Sequence, residues 1–158
     1  LKALKGAYEA EVKRQDEKHD PEILKRATNE VFEALKKVDN NILKLDTVCT
    51  DYIAIVDRPT GKYDIDSIIG RMKALEGRAV IQTMFLKGTV DGVRIDCTNG
   101  EHCNKWQELV RELKPREIMM YTLDRETPAQ GLEKVTVQEM EEIASPLVKE
   151  GYKIQIKG

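Results

Sequence analysis

A chain of 158 residues is the length of one ordinary domain, and 41% apolar with 34% charged residues places it among folded globular proteins rather than disordered ones. A formal charge of −2, with two Phe, five Tyr and one Trp, argues against a surface given over to nucleic acid or to stacking bases. No run approaches the ~18 apolar residues of a membrane span and no secretory signal is visible. Three cysteines (Cys49, Cys97, Cys103) cannot all pair, so a reducing, cytoplasmic setting is expected.

In chain order, Leu1, Leu4, Tyr8 and Val12 recur at helical spacing before the polar run Lys13 to His19, the pattern of a surface helix. Asp20-Pro21 opens a second helix whose Ile23, Leu24, Ala27, Val31, Leu35 and Val38 share one face, ended by Asp39-Asn40-Asn41. Residues 1–40 thus read as a helical segment preceding an α/β part, 41–158. Ile42 to Asp46 is a short strand. Thr50 to Pro59 is a short helix stopped by the proline, and Thr60-Gly61 a turn. Asp64 caps a helix carrying Ile65, Ile68, Ile69, Met72 and Leu75, closed by Gly77.

The second strand is Ala79 to Leu86. Lys87-Gly88 begins a glycine-containing loop expected to run to about Cys103. Asn104 can cap a helix with Trp106, Leu109, Val110 and Leu113 on its sheet-facing side. Glu117 to Thr122 is the third strand, followed by a loop over 124–135 holding Pro128 and Gly131. Thr136 and Glu139 form a capping box for a helix with Met140, Ile143, Leu147 and Val148, bent by Pro146. Gly151 ends it, and Tyr152 to Lys157 alternates like a last strand.

Strands alternating with helices define an α/β fold with about four parallel strands and helices on the outer face. That is a fragment of a partial (β/α) barrel or of an open doubly wound sheet, which periodicity alone does not separate. In both, ligands sit at the carboxyl ends of the strands. The rule selects Lys44, Asp46, Thr47, Lys87, Tyr121, Thr122, Asp124 and Arg125. Lys44 and Asp46, two apart, share a strand face, as do Gln82 and Met84 opposite Ile81 and Thr83. The planar fork of Arg125 suits a carboxylate or phosphate. Cys97, His102 and Cys103, with Cys49 as a fourth donor, offer a competing reading as a zinc or iron site, though their spacing matches no standard finger. Phosphate-loop, dinucleotide, zincin and nucleophile-elbow motifs are absent.

From about Val31 to Gly158 the chain resembles the C-terminal half of radical S-adenosylmethionine enzymes, in particular bacterial iron–sulfur oxidoreductase-like members. The stretches carrying the resemblance are Val31 to Val38 leading into Ile42-Leu-Lys-Leu-Asp46, Val56-Asp-Arg-Pro59, Gln82-Thr-Met-Phe-Leu-Lys-Gly88, and Tyr121-Thr-Leu-Asp-Arg-Glu-Thr-Pro128. The resemblance implies a partial barrel. It also implies a parent enzyme that holds a four-iron, four-sulfur cluster on a C-x-x-x-C-x-x-C loop and uses it to cleave S-adenosylmethionine. That loop is absent here, so the chain is expected to be the C-terminal part of a longer enzyme, inactive alone.

On the same resemblance, Lys44, Asp46, Thr47 and Gln82 would contact the cofactor, and Met84, Tyr121, Thr122, Asp124 and Arg125 the substrate. No catalytic residue and no metal ligand is assigned. The substrate, a small molecule or a peptide, is not legible; DNA and membrane are not expected partners, and a truncated sheet edge would allow oligomers. The alternative is a non-catalytic α/β binding or scaffolding domain using residues 1–40 as its contact surface.

Overall fold

The alternation that begins at Ile42 resolves into two sheets rather than one. The computed structural model describes residues 21–158, apart from 58, 60–62, 126 and 128. The helix expected over 1–19, the Asp20 cap, the Thr60-Gly61 turn and Pro128 lie outside the described residues, as do the side chains of Ile23, Leu24 and Ala27. Residues 1–39 and 40–158 form separate compact units. The described part of the first is helix α1 (Pro21–Leu35), which ends earlier than its apolar spacing suggests. Val38 lies beyond it and is exposed.

The second unit contains β1 (Ile42–Lys44), α2 (Thr50–Val56), α3 (Ile65–Lys73), β2 (Val80–Met84), β3 (Leu86–Val90), β4 (Val93–Asp96), α4 (Gly100–Leu113), β5 (Glu117–Tyr121), β6 (Leu132–Lys134), α5 (Val137–Lys149) and β7 (Ile154–Lys157). The main sheet has the order β1-β2-β5-β7, all parallel. It is the partial (β/α) barrel sheet expected from the alternation, with helices between successive parallel strands.

Because side chains alternate across a strand, the register sorts this sheet into two faces. One face presents Ile81, Thr83, Ile118 and Met120, all buried. It is covered by Trp106 and Val110 of α4 and by Met140, Ile143 and Leu147 of α5. Trp106 is fully enclosed; its Nε1 donates to Thr83 Oγ1 at 3.0 Å and its ring meets Phe85 edge-on at 5.2 Å. A second apolar cluster joins Leu45 and Ile81 to Met72 of α3 and to Leu109 and Leu113 of α4. The other face carries Lys44, Gln82, Met119 and Gln155 in one row and Met84, Tyr121 and Lys157 in the next. None of these seven is buried.

The segment read as a loop from Lys87 to Cys103 is instead a β-hairpin. Asp91 and Gly92 both have positive φ (50° and 80°), the two-residue turn whose twist suits antiparallel strands. The Asp-Gly pair between two short apolar runs is the local signal for this hairpin. The 124–135 loop likewise contains β6, giving a three-stranded antiparallel sheet β4-β3-β6. Gly88 sits opposite Leu132 at φ 140°, where any Cβ would be driven against the Gly131 carbonyl. A backbone approach this close explains a glycine inside a strand.

Helix boundaries moved for local reasons. Asn99, not Asn104, caps α4, its Oδ1 accepting from the His102 N–H at 2.9 Å. That starts the helix earlier and draws His102 and Cys103 into it. The Thr136–Glu139 capping box forms as expected, and Pro146 lies inside α5 without ending it. Glu139 also meets Lys87 Nζ at 2.5 Å, which with the cap bonds holds its carboxyl down at about 2. Lys87 therefore braces α5 against β3.

Candidate functional site

Three strand ends bring their polar groups to one place. Asp46, just past β1, keeps a side chain only 2% exposed. Burial of a carboxylate requires partners, and it has them. Lys44 Nζ lies 3.0 Å from Oδ2, and the Met84 N–H at the end of β2 donates to Oδ1 at 3.1 Å. Asp57, directly after α2, lies close enough to the Asp46 carboxyl for the two to influence each other electrostatically. Tyr121 ends β5, with its hydroxyl within electrostatic reach of Asp46 and Lys44.

The electrostatics follow from the crowding. Partial burial, then the charge of Asp46, push Asp57 up to about 6, although it keeps an exposed edge and Lys44 pulls the other way. Burial and Asp46 also raise Tyr121, and burial with Asp57 and Asp46 raises Tyr63. For Lys44 the largest single effect, burial, lowers its pKa but is outweighed by Asp46 and Tyr121, so the ammonium is retained. The result is two adjoining carboxyls, one ammonium and two neutral phenols. Such a group can accept hydrogen bonds from a ligand and can take up or release a proton at Asp57 near neutral pH.

Of the residues selected from sequence, Lys44, Asp46 and Tyr121 meet in this cluster. Gln82, Tyr121, Thr122, Asp124 and Arg125 line an adjoining cavity of about 330 Å³, together with Gln155 and Lys157. Tyr121 belongs to both. Met84 lines a different, apolar cavity of about 270 Å³. The two threonines have local structural bonds: Thr47 Oγ1 accepts from the Cys49 N–H at 3.0 Å, and Thr122 Oγ1 from the Val135 N–H at 2.8 Å. Asp57 and Tyr63 were missed as site residues. Asp57 stood inside a stretch read as a short helix and quoted for its resemblance, and its one local signal is a carboxylate directly following the apolar run Ile53-Ala-Ile-Val.

The zinc or iron reading of Cys97, His102 and Cys103 does not match the geometry. Burial pushes the Cys97 thiol up to about 12 and the Cys103 thiol to about 11, so both rest as neutral thiols. The Cys103 thiol donates to the Cys97 carbonyl at 3.5 Å. Among the described residues no group of three or more His, Cys, Asp or Glu side chains is placed to hold a metal ion. A cluster of the radical S-adenosylmethionine type is therefore not fitted by these cysteines.

His102 is buried, stacked on Tyr52 at 5.8 Å, and neither ring nitrogen has a hydrogen-bond partner. Burial lowers its pKa below the usual 6.5; nearby Asp96 opposes this and Lys105 adds to it. The unfolded chain then binds a proton below about pH 6.5 that the folded chain refuses, so His102 makes folding less favourable as pH falls through that value. Asp57 acts with the opposite sign: its raised pKa makes the folded chain bind more protons between 3.8 and about 6. The difference between wild type and His102→Phe isolates the histidine. In urea unfolding, His102→Phe should gain stability relative to wild type between pH 7 and pH 5, and a constant difference across that range would refute the assignment.

The chain is thus a partial barrel whose parallel sheet has an open polar face and carries acidic, cationic and phenolic groups at its carboxyl edge. No protein-family model matches the chain, and no curated protein matches it in sequence. Solved structures do match in fold. A radical SAM methyltransferase from Sphaerobacter thermophilus superposes over 80% of this chain with TM-score 0.56 at 14% identity. A domain of pyruvate-formate lyase-activating enzyme from Bacteroides vulgatus superposes over 80% with TM-score 0.55 at 13% identity. The chain spans 37% of the methyltransferase and 71% of the latter chain. The chain thus shares its fold with part of each of these two proteins. No helix of the described residues is long and apolar enough to cross a membrane.

Proposed function

We propose that this chain is the C-terminal portion of a radical S-adenosylmethionine iron–sulfur enzyme, and that it shapes the cavity in which cofactor and substrate meet. The observation that carries the reading is the convergence of Lys44, Asp46, Asp57 and Tyr121 at the carboxyl ends of three parallel strands. The fold shared with two radical SAM structures supports it. The cluster would have to be held by cysteines other than Cys97 and Cys103. When bound, it would supply the electron for reductive cleavage of S-adenosylmethionine.

The residues of this chain do other work on this reading. Lys44 and Gln82 on the open sheet face offer donors to polar groups of the cofactor. Tyr121, Asp124 and Arg125 orient the substrate, and the helix-covered opposite face keeps the sheet rigid. Anaerobic reconstitution of the longer protein with iron and sulfide should yield a species that cleaves S-adenosylmethionine to 5′-deoxyadenosine. Asp46→Asn should reduce that cleavage while the cluster's absorbance is kept. A reconstituted protein without cleavage, or an Asp46→Asn variant as active as wild type, overturns the proposal.

A further inference from the structure

The proposed function leaves one feature unused, an apolar cavity of about 270 Å³. Its walls include Ile55 and Val56 of α2, Met84 of β2, Leu86 of β3, Leu132 of β6 and Leu123 beyond β5. Among the described residues Thr127 supplies its one polar side chain, and that hydroxyl already donates to the Ala129 carbonyl at 2.9 Å. A buried water needs about two to four polar partners, so the guest that gains most here is a hydrocarbon. A dry cavity of about 150 Å³ already takes benzene. This one has room for a ring with a short chain, and is too small for a helix of a second protein.

The apolar cavity stands beside the polar one. Met84 and Tyr121 are register partners on neighbouring parallel strands, and neither is buried. Met84 lines the apolar cavity and Tyr121 the polar one, so at this point the two walls are one strand spacing, about 4.8 Å, apart. The segment leaving β5 divides in the same way: Leu123 lines the apolar cavity, and Thr122, Asp124 and Arg125 the polar one. Hydrocarbon surface and hydrogen-bonding groups therefore adjoin at the carboxyl end of the sheet, the combination that holds and orients a small ligand.

We infer that the substrate of this site is a small amphipathic molecule, with an aromatic or branched hydrocarbon group seated in the apolar cavity and a carbonyl-bearing head in the polar one. Gln82 and Tyr121 line the polar cavity and supply donors for the carbonyl oxygen. The inference rests on the proposed function, since it names the substrate class of the same site, but its test needs no cluster. The nucleobase of S-adenosylmethionine is a poor guest for the apolar cavity, because its ring nitrogens and amino group would leave water for a hydrocarbon wall.

The test is amide chemical-shift mapping on the 158-residue chain with four probes: ethylbenzene, 3-phenylpropionamide, acetamide and adenosine. Ethylbenzene should give saturable shifts at the amides of Ile55, Val56 and Leu123 and leave those of Gln155 and Lys157 in place. 3-Phenylpropionamide should shift both groups with a single midpoint. It should bind roughly two- to tenfold more tightly than ethylbenzene, the scale of one net hydrogen bond. Acetamide and adenosine should leave Ile55 and Val56 unmoved. Leu132→Trp should fill the cavity and abolish the shifts that both phenyl probes cause there; Leu123→Trp, on another segment, gives the same test if the first variant misfolds. Three results overturn the inference: no saturable shift at Ile55 and Val56, adenosine binding at those amides, or 3-phenylpropionamide moving only one of the two groups. Loss of S-adenosylmethionine cleavage in the longer protein would instead count against the proposed function and leave probe binding as it is.

Discussion

Trp106→Ala should lower the unfolding free energy by about 3–5 kcal/mol, a large share of the roughly 5–15 kcal/mol that holds a domain of this size. The indole is fully enclosed between the main sheet and α4, so its loss opens a cavity that surrounding groups on two rigid layers cannot collapse into. The same change removes the edge-on contact with Phe85 and leaves Thr83 Oγ1 without its donor in a fully buried position. Two variants separate these effects. Thr83→Val keeps the volume and strands the indole N–H, at about 1–3 kcal/mol. Trp106→Phe keeps part of the ring and should fall between Thr83→Val and Trp106→Ala. Urea unfolding followed by far-ultraviolet dichroism measures all three. A Trp106→Ala loss below about 1 kcal/mol would mean that α4 is not packed on the sheet as described.

The second large effect is expected at Asp46. Asp46→Ala removes the acceptor for the Met84 N–H and the partner of Lys44 in one step, and should lower stability by about 1–3 kcal/mol. Asp46→Asn retains an oxygen for Met84 and should be milder. Its informative readout is the titration of Asp57 by carboxyl-carbon NMR. Asp57 titrates near 6 in the intact protein for two reasons, burial first and Asp46 second. Removing only the charge of Asp46 should therefore lower the Asp57 pKa while leaving it above the ordinary 3.8. The sign for stability follows. A raised folded pKa favours the folded chain below 3.8 and loses that advantage as pH rises through about 6. Asp46→Asn should thus narrow the pH range over which that advantage is lost and lessen what the Asp57 charge costs the fold at higher pH. If Asp57 titrates at the same pH in both proteins, the two carboxyls do not influence each other and the cluster is not a unit.

The parallel sheet and its helices were legible because each element carries its own local signal. The Asp64 cap, the Thr136–Glu139 box and the apolar spacing of Trp106, Leu109, Val110 and Leu113 act within one or two turns, so they survive without knowledge of the rest of the chain. Runs such as Val80-Ile-Gln-Thr-Met84 are short, β-prone and bounded, and four of them separated by helices leave few topologies. The hairpin β3–β4 is equally local, with Asp91-Gly92 as its mark, although the stretch reads as a loop when only its glycines are weighed.

What the amino-acid sequence determined by itself is therefore the order of the parallel strands and their helices, the class of fold and the end of the sheet where polar groups gather. Only the tertiary structure decided which of those groups meet. Asp46 and Asp57 belong to different elements, and Met84 is 38 positions from the carboxylate that holds its N–H. Partners across such separations are set by register and by burial, which local spacing does not encode. The antiparallel sheet and the apolar cavity that it helps to enclose depend in the same way on Gly88 and Gly131 letting two distant backbones come together.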